Sequence, residues 1–178
     1  MIEYDLMNCL SCQKEIPTKL GYVSNSHRFC KFCFSHIIEK RVRKYLKDHP
    51  LKRAQRVVAS HSASLYFAQH MMHIPLTILK RPSKKSDTII LSETLDDLAV
   101  SYLDRLLSGK KTRNQKKNIL LLFSSVTDEE LALYCLYHKI PFVAKKHSLK
   151  QFLLRMEIEH PGTIQALYKS MQDLKEIL

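Results

Sequence analysis

Glycine is nearly missing from this chain: three residues in 178, and none between Gly21 and Gly109. Glycine lets a backbone approach a phosphate closely or turn left-handed without steric cost. A glycine-rich phosphate loop is therefore excluded over that stretch. No run of about 18 apolar residues occurs, which excludes a simple membrane-spanning helix. The opening residues Met1-Ile2-Glu3-Tyr4-Asp5 lack the basic and apolar regions of a secretory leader. A cytoplasmic, reducing location and no membrane partner are the expectation. Acidic residues are scarce too: 17 Asp and Glu face 29 Lys and Arg, a net charge of +12. That imbalance favours a polyanion as partner, most simply nucleic acid.

What is present is a cysteine pattern. Four of the five cysteines form two CxxC pairs, Cys9 with Cys12 and Cys30 with Cys33, separated by 17 residues. In a reducing compartment such pairs read as metal ligands rather than disulfides. Four thiolates in a tetrahedron make a closed, structural site with no open position for a substrate. Zinc is favoured, although iron suits the same four ligands in a rubredoxin-like ribbon. His27 is a nearby alternative ligand, but the four cysteines already fill the site. Residues 1–35 are expected to form the ribbon. Glu15 to Arg28 should make a hairpin-like excursion, and Phe29, Phe32 and Phe34 should pack the ribbon onto the next domain.

A basic connecting segment, residues 36–55, comes next. Its helix is expected from about Ser35 to Lys47, with Ile37, Ile38, Val42, Tyr45 and Leu46 at helical spacing, ending at Asp48-His49-Pro50. Residues 56–178 alternate short apolar runs with amphipathic stretches. Strands are expected at 57–59, 76–79, 88–91, 118–123 and 141–143. Helices are expected at 62–73, 94–107, after Thr127, and at the C-terminus. Gly109 reads as a left-handed helix cap. Thr127 with Glu130 reads as a capping box. Asp96 and Asp97 read as first-turn acids that complement a helix dipole. Cys135, in an apolar stretch, reads as a small core residue. The class is α/β: a zinc ribbon, then a reduced Rossmann-like parallel sheet with flanking helices.

Several segments together resemble a known group. Cys9-Leu-Ser-Cys12, Arg28-Phe-Cys30-Lys-Phe-Cys33-Phe34 and the basic Glu39-Lys-Arg-Val-Arg-Lys-Tyr45 look like the start of the cytoplasmic tRNA 2-thiolation proteins. The FCxxCF phrase is most similar to their second, non-catalytic subunit. Leu91-Ser-Glu-Thr-Leu-Asp96-Asp97-Leu-Ala99 resembles the GHNLDDxA segment of the PP-loop ATP pyrophosphatases that thiolate tRNA, and Pro161-Gly162-Thr163 resembles a motif near the end of the catalytic homologues. The resemblance implies a zinc-binding N-terminus ahead of a PP-loop ATPase-type fold.

The sequence departs from that pattern where an SGGxDS loop belongs. Ser60, His61, Ser62, Ala63 and Ser64 stand there instead, a degenerate PP-loop read as an ordinary turn capped by Ser60 or Ser62. Only Cys135 remains beyond the ribbon, too few cysteines for a cluster in the α/β region. The resulting expectation is a subunit without catalysis and without ATP. It would hold structural zinc and join tRNA and a catalytic PP-loop homologue in a heterodimer for thiolation of the wobble uridine, U34. Phosphate contacts are assigned to Arg41, Arg43, Lys44, Lys47, Lys52 and Arg53, and to Lys110, Lys111, Arg113, Lys116 and Lys117 of a basic loop. The alternatives are a stand-alone zinc-ribbon nucleic-acid-binding protein and an ATP-dependent tRNA sulfurtransferase.

Overall fold

A computed structural model describes residues 6–17, 22–24, 27–51, 56–59, 61–71, 77–79, 88–109 and 118–177. The head holds two short antiparallel pairs rather than one excursion. Strand β1 (Leu6–Asn8) pairs with β2 (Glu15–Pro17), and β3 (Tyr22–Ser24) pairs with β4 (His27–Phe29). Each pair carries one CxxC knuckle at its end. Gln13 takes a positive φ of 59° behind the first knuckle, and its N–H donates to the Cys9 carbonyl.

Helix α1 (Lys31–Asp48) begins inside the second CxxC, four residues before the sequence suggests. Cys30 is its N-cap, with its sulfur accepting the Cys33 N–H at 3.5 Å. Phe32 therefore points out of the first turn and is 81% exposed, whereas Phe29 and Phe34 are buried. Expected packing by Phe32 does not occur because Cys33 and Phe34 already occupy the inward face.

The body is a parallel sheet of β5 (Arg56–Ala59), β6 (Thr77–Leu79), β7 (Thr88–Thr94) and β8 (Ile119–Phe123). The order β6-β5-β7-β8 puts the first strand second, so the chain reverses its direction of travel between β5 and β7. Helix α2 (Ser62–His70) follows β5, α3 (Leu95–Ser108) follows β7, and α4 (Asp128–Tyr137) follows β8. The C-terminus forms two helices, α5 (Ser148–Glu159) and α6 (Thr163–Ile177). They break at His160-Pro161-Gly162, where Gly162 takes φ 95°. The expected strand at 141–143 is absent: these residues carry no ladder. Pro141 has no N–H to give one, and Phe142 is held by packing on the core instead.

Local caps explain the helix starts. Thr94 and Asp97 exchange side-chain and backbone bonds at the start of α3, and Thr127 and Glu130 do the same for α4. Gly109 ends α3 in the left-handed region at φ 63°, as expected. Cys9, Phe29 and Phe34 of the head share one core with Val57, Phe67, Phe123 and Tyr134 of the body. A second, smaller cluster joins Leu95 and Ala99 of α3 to Leu153 of α5 and Ile164 of α6. Cys135 is buried in the main core, and burial pushes its thiol up to about 12. No described helix is long and apolar enough to cross a membrane.

Candidate functional site

The two knuckles bring the sulfurs of Cys9, Cys12, Cys30 and Cys33 within 4.8 Å of one another. The Cys12 and Cys30 sulfurs are 3.8 Å apart. A Zn–S bond of about 2.3 Å in a tetrahedron sets ligand sulfurs about 3.8 Å apart, so the quartet fits a single ion. An iron–sulfur cube would bind each thiolate through a different iron and need wider spacing. The donor set supports thiolates unevenly. Burial alone would raise the Cys9 thiol, but N–H groups of Cys30, Cys12 and Ser11 hold it down to about 6. The Cys30 N–H lies 3.2 Å from the Cys9 sulfur. Burial pushes the Cys33 thiol up to about 12, a rise to which its sulfur neighbours add. A buried thiolate there needs a cation beside it, which is what a metal supplies.

A second site lies at the carboxyl ends of β5 and β7, where the strand order reverses. Crevices at such switch points are the usual ligand sites of open α/β sheets. The cavity there is about 300 Å³, lined by His61, Ser62 and Ala63 at the start of α2, by Ser92 and Asp97, and by the Pro141–Lys145 loop. The N-cap of α2 is His61, whose side chain bonds no first-turn N–H. A cap by Ser62 is not formed, since Ser62 lies inside the helix, and the His61 side chain leaves the first-turn donors free of a capping bond from the N-cap position. His61 and Ser62 are exposed and Ala63 is buried. Ser64 is buried as well, and its hydroxyl finds no hydrogen-bond partner among the described residues. Lys145 stands at the rim, 3.6 Å from Glu93 and 3.8 Å from Asp97. Ser60 lies outside the described residues.

Asp97, on the lining of this cavity, belongs to an ionic knot. Lys150, 7% exposed, reaches Asp97 at 2.7 Å and also pairs with Asp128. Burial alone would lower its ammonium, but the two carboxylates raise it. Asp96 is buried, and burial raises its carboxyl even though it accepts the Asp128 N–H at 2.6 Å. Asp97 therefore caps α3, as the sequence leads one to expect, while Asp96 in the same turn braces the start of α4. Lys150 carries no sequence signal beyond its charge. The Pro161-Gly162-Thr163 turn is spent internally too: the Glu157 carboxylate accepts the N–H groups of Gly162 and Ile164 at 2.7 and 2.9 Å.

Of the residues expected to touch RNA phosphates, Arg41 is bound to Glu130 at 2.7 Å and to the Ser125 carbonyl. Arg43 pairs with Glu39 at 3.0 Å one turn back. Lys44 and Lys47 are exposed on the same helix. Lys52, Arg53, Lys110, Lys111, Arg113, Lys116 and Lys117 lie outside the described residues.

The fold is similar to that of a solved U34-tRNA thiolase. The thiolase NcsA from Methanococcus maripaludis, solved with its [4Fe-4S] cluster, superposes with a TM-score of 0.74. The match covers 97% of this chain and 89% of that one, at 14% sequence identity. No protein-family model and no curated protein matches the sequence.

This likeness corrects one expectation. The missing glycines and cysteines imply a chain that is not an enzyme, yet over almost its whole length the fold is similar to that of a thiolase solved with its cluster. That exclusion rested on residue types, the loop glycines and the cysteines of the α/β region, and not on the fold. The start of α2, whose N-cap side chain makes no capping bond, borders a cavity in this fold. The zinc expectation becomes a coarser statement: the four cysteines form a site able to hold a metal.

Proposed function

We propose that this chain acts in the 2-thiolation of the wobble uridine U34 of tRNA. The observation that carries this reading is the likeness of fold to a U34-tRNA thiolase over 97% of the chain, a span that takes in both the cysteine head and the parallel sheet. The net charge of +12 supports tRNA as the polyanionic partner, since phosphate neutralisation supplies much of the affinity of such complexes. Contacts of that kind orient an RNA without reading its bases.

In this reading the cysteine quartet holds one structural ion, zinc by its thiolate set and sulfur spacing, and fixes the start of α1. The switch-point cavity takes the reacting, phosphate-bearing group. The N–H groups that open α2 favour an anion there, and Lys145, held loosely by Glu93 and Asp97, stands at the rim. A second PP-loop homologue works beside this chain, and the exposed apolar side chains Phe152 and Ile158 of α5 suit such a contact.

The test is sulfur transfer to tRNA in an extract depleted of the chain. The reading expects transfer to fall and to return when purified chain is added. Transfer that continues undiminished would overturn it.

A further inference from the structure

A groove of about 780 Å³ runs along the outer side of β8, between α1 and α6. It shares no lining residue with the switch-point cavity. Its two walls are built by helical periodicity. On α1 the lining residues Arg41, Lys44, Tyr45 and Asp48 fall at i, i+3, i+4 and i+7, one face of the helix. On α6 the lining residues Gln165, Tyr168 and Gln172 fall at i, i+3 and i+7. The floor is Leu95 and Leu121, with Ser124 and Ser125 at the end of the strand.

The groove borders the sheet edge without offering a strand-pairing site at its middle. The Leu121 N–H, which would otherwise reach outward, donates to the Tyr45 hydroxyl at 2.9 Å. What remains is a slot with an apolar floor, aromatic sides and polar rims. The Tyr45 ring stacks on His49 at 4.2 Å and 14°, which stiffens one wall. Tyr168 is half-buried against the second core cluster on the other wall. Arg41 is fixed by Glu130 and the Ser125 carbonyl, so its charge is largely met inside the protein. The exposed Lys44 is left to face a ligand's negative charge.

We infer that this groove is a nucleotide slot that takes an unstacked residue of single-stranded RNA. The inference rests on the proposed tRNA function and deepens it. A volume of about 780 Å³ lies within the range of roughly 300–1,000 Å³ typical of small-molecule sites. Bases flipped out of RNA are held by stacking on aromatic rings and by hydrogen bonds to their edges. Tyr45 and Tyr168 supply the rings. The amides of Gln165 and Gln172 supply both donors and acceptors, and the Asp48 carboxylate accepts from a base N–H, the imino group in uracil. Lys44 meets the phosphate.

The experiment is fluorescence anisotropy of a labelled, uridine-rich single-stranded oligoribonucleotide with the full chain. Gln165 and Gln172 are exposed, so Gln165→Glu with Gln172→Glu should keep the melting temperature while turning one wall against a polyanion. Affinity should fall roughly tenfold or more, and Lys44→Glu should weaken binding and flatten its salt dependence. With the wild-type chain, a 4-thiouridine probe should photocrosslink to peptides holding Tyr45 or Tyr168. Competition arms with UMP and AMP separate the sources: weak competition supports an RNA strand, and binding of mononucleotide without the oligonucleotide overturns it. Unchanged affinity in both variants, or adducts confined to other segments, also overturns the slot. If the slot fails while sulfur transfer still depends on the chain, the proposed function stands without it.

Discussion

The ammonium of Lys150 lies 2.7 Å from the Asp97 carboxylate, and both side chains are almost out of water. Asp128 meets the same ammonium from the start of α4. One side chain in the first turn of α5 thus ties together the N-termini of α3 and α4. Asp97 also closes the α3 capping box, so the cation and the cap share one carboxylate. The knot touches the switch-point cavity through Asp97, which lines it.

Replacing Lys150 by Met should therefore be costly. It leaves two carboxylates facing each other in a buried space, a loss of about 3 kcal/mol for breaking a buried pair. For a chain of this size that corresponds to a melting temperature lower by roughly 6–12 °C. Adding Asp97→Asn should recover part of the loss by removing one stranded charge. A shift no larger than about 1 kcal/mol would mean the pair behaves like an exposed one.

The metal quartet, the capping box at Thr127 and the left-handed cap at Gly109 were legible in the sequence, because each depends on a few neighbouring residues. The α/β order was legible too, from alternating apolar runs. The start of α1 was not. The second knuckle and the helix are one object, with the Cys30 sulfur serving as the helix cap, and sequence reasoning set them end to end. The strand expected at 141–143 failed because apolar character alone does not supply a pairing edge. The groove beside β8 could not be seen at all. It gathers Leu95 with residues from 41–49, 121–130 and 165–172, and no local pattern joins these segments. Lys150 was missed for the same reason: its two partners lie 53 and 22 positions away in the sequence.

The cysteine site should bind one metal ion per chain, measured by elemental analysis of the purified protein. Zinc leaves the protein colourless, whereas iron would give visible charge-transfer bands. Cys33→Ser should lose the ion. Because the knuckle caps α1, it should also lower helicity and fray the segment around residues 30–34, since metal affinity here is folding free energy. Full metal content in Cys33→Ser would refute the four-cysteine assignment.

His138 gives a pH dependence. Its Nε2 meets the Ser35 hydroxyl at 3.2 Å and its Nδ1 meets the Tyr66 hydroxyl at 3.3 Å, with the Tyr134 ring tilted against it at 4.2 Å. Burial lowers its pKa; Lys31 and His70 lower it further, and Glu39 opposes them. The folded state therefore resists protonation more than the unfolded chain, whose histidine titrates near 6.5. Its contribution is fully present above that value and is lost as pH falls through the lowered folded pKa. Denaturant melts should show stability declining below about pH 6.5, and His138→Gln should flatten that slope. An unchanged slope in the variant would assign the decline to other groups.

Lys145 tests the switch-point cavity separately from the knot beside it. Its contacts to Glu93 and Asp97 are long and half-exposed, so Lys145→Ala should leave the melting temperature nearly unchanged. Sulfur transfer should nevertheless fall roughly tenfold, the usual loss for one charge-assisted hydrogen bond. Full transfer by the variant would remove Lys145 from the site.

The most direct measurement is the 2-thiouridine content of bulk tRNA from cells lacking this chain, by mass spectrometry of digested nucleosides. A role in U34 thiolation predicts a large loss, restored by the wild-type chain and not by a Cys33→Ser chain that has lost its metal. A 2-thiouridine level equal to that of unaltered cells would contradict the proposed function.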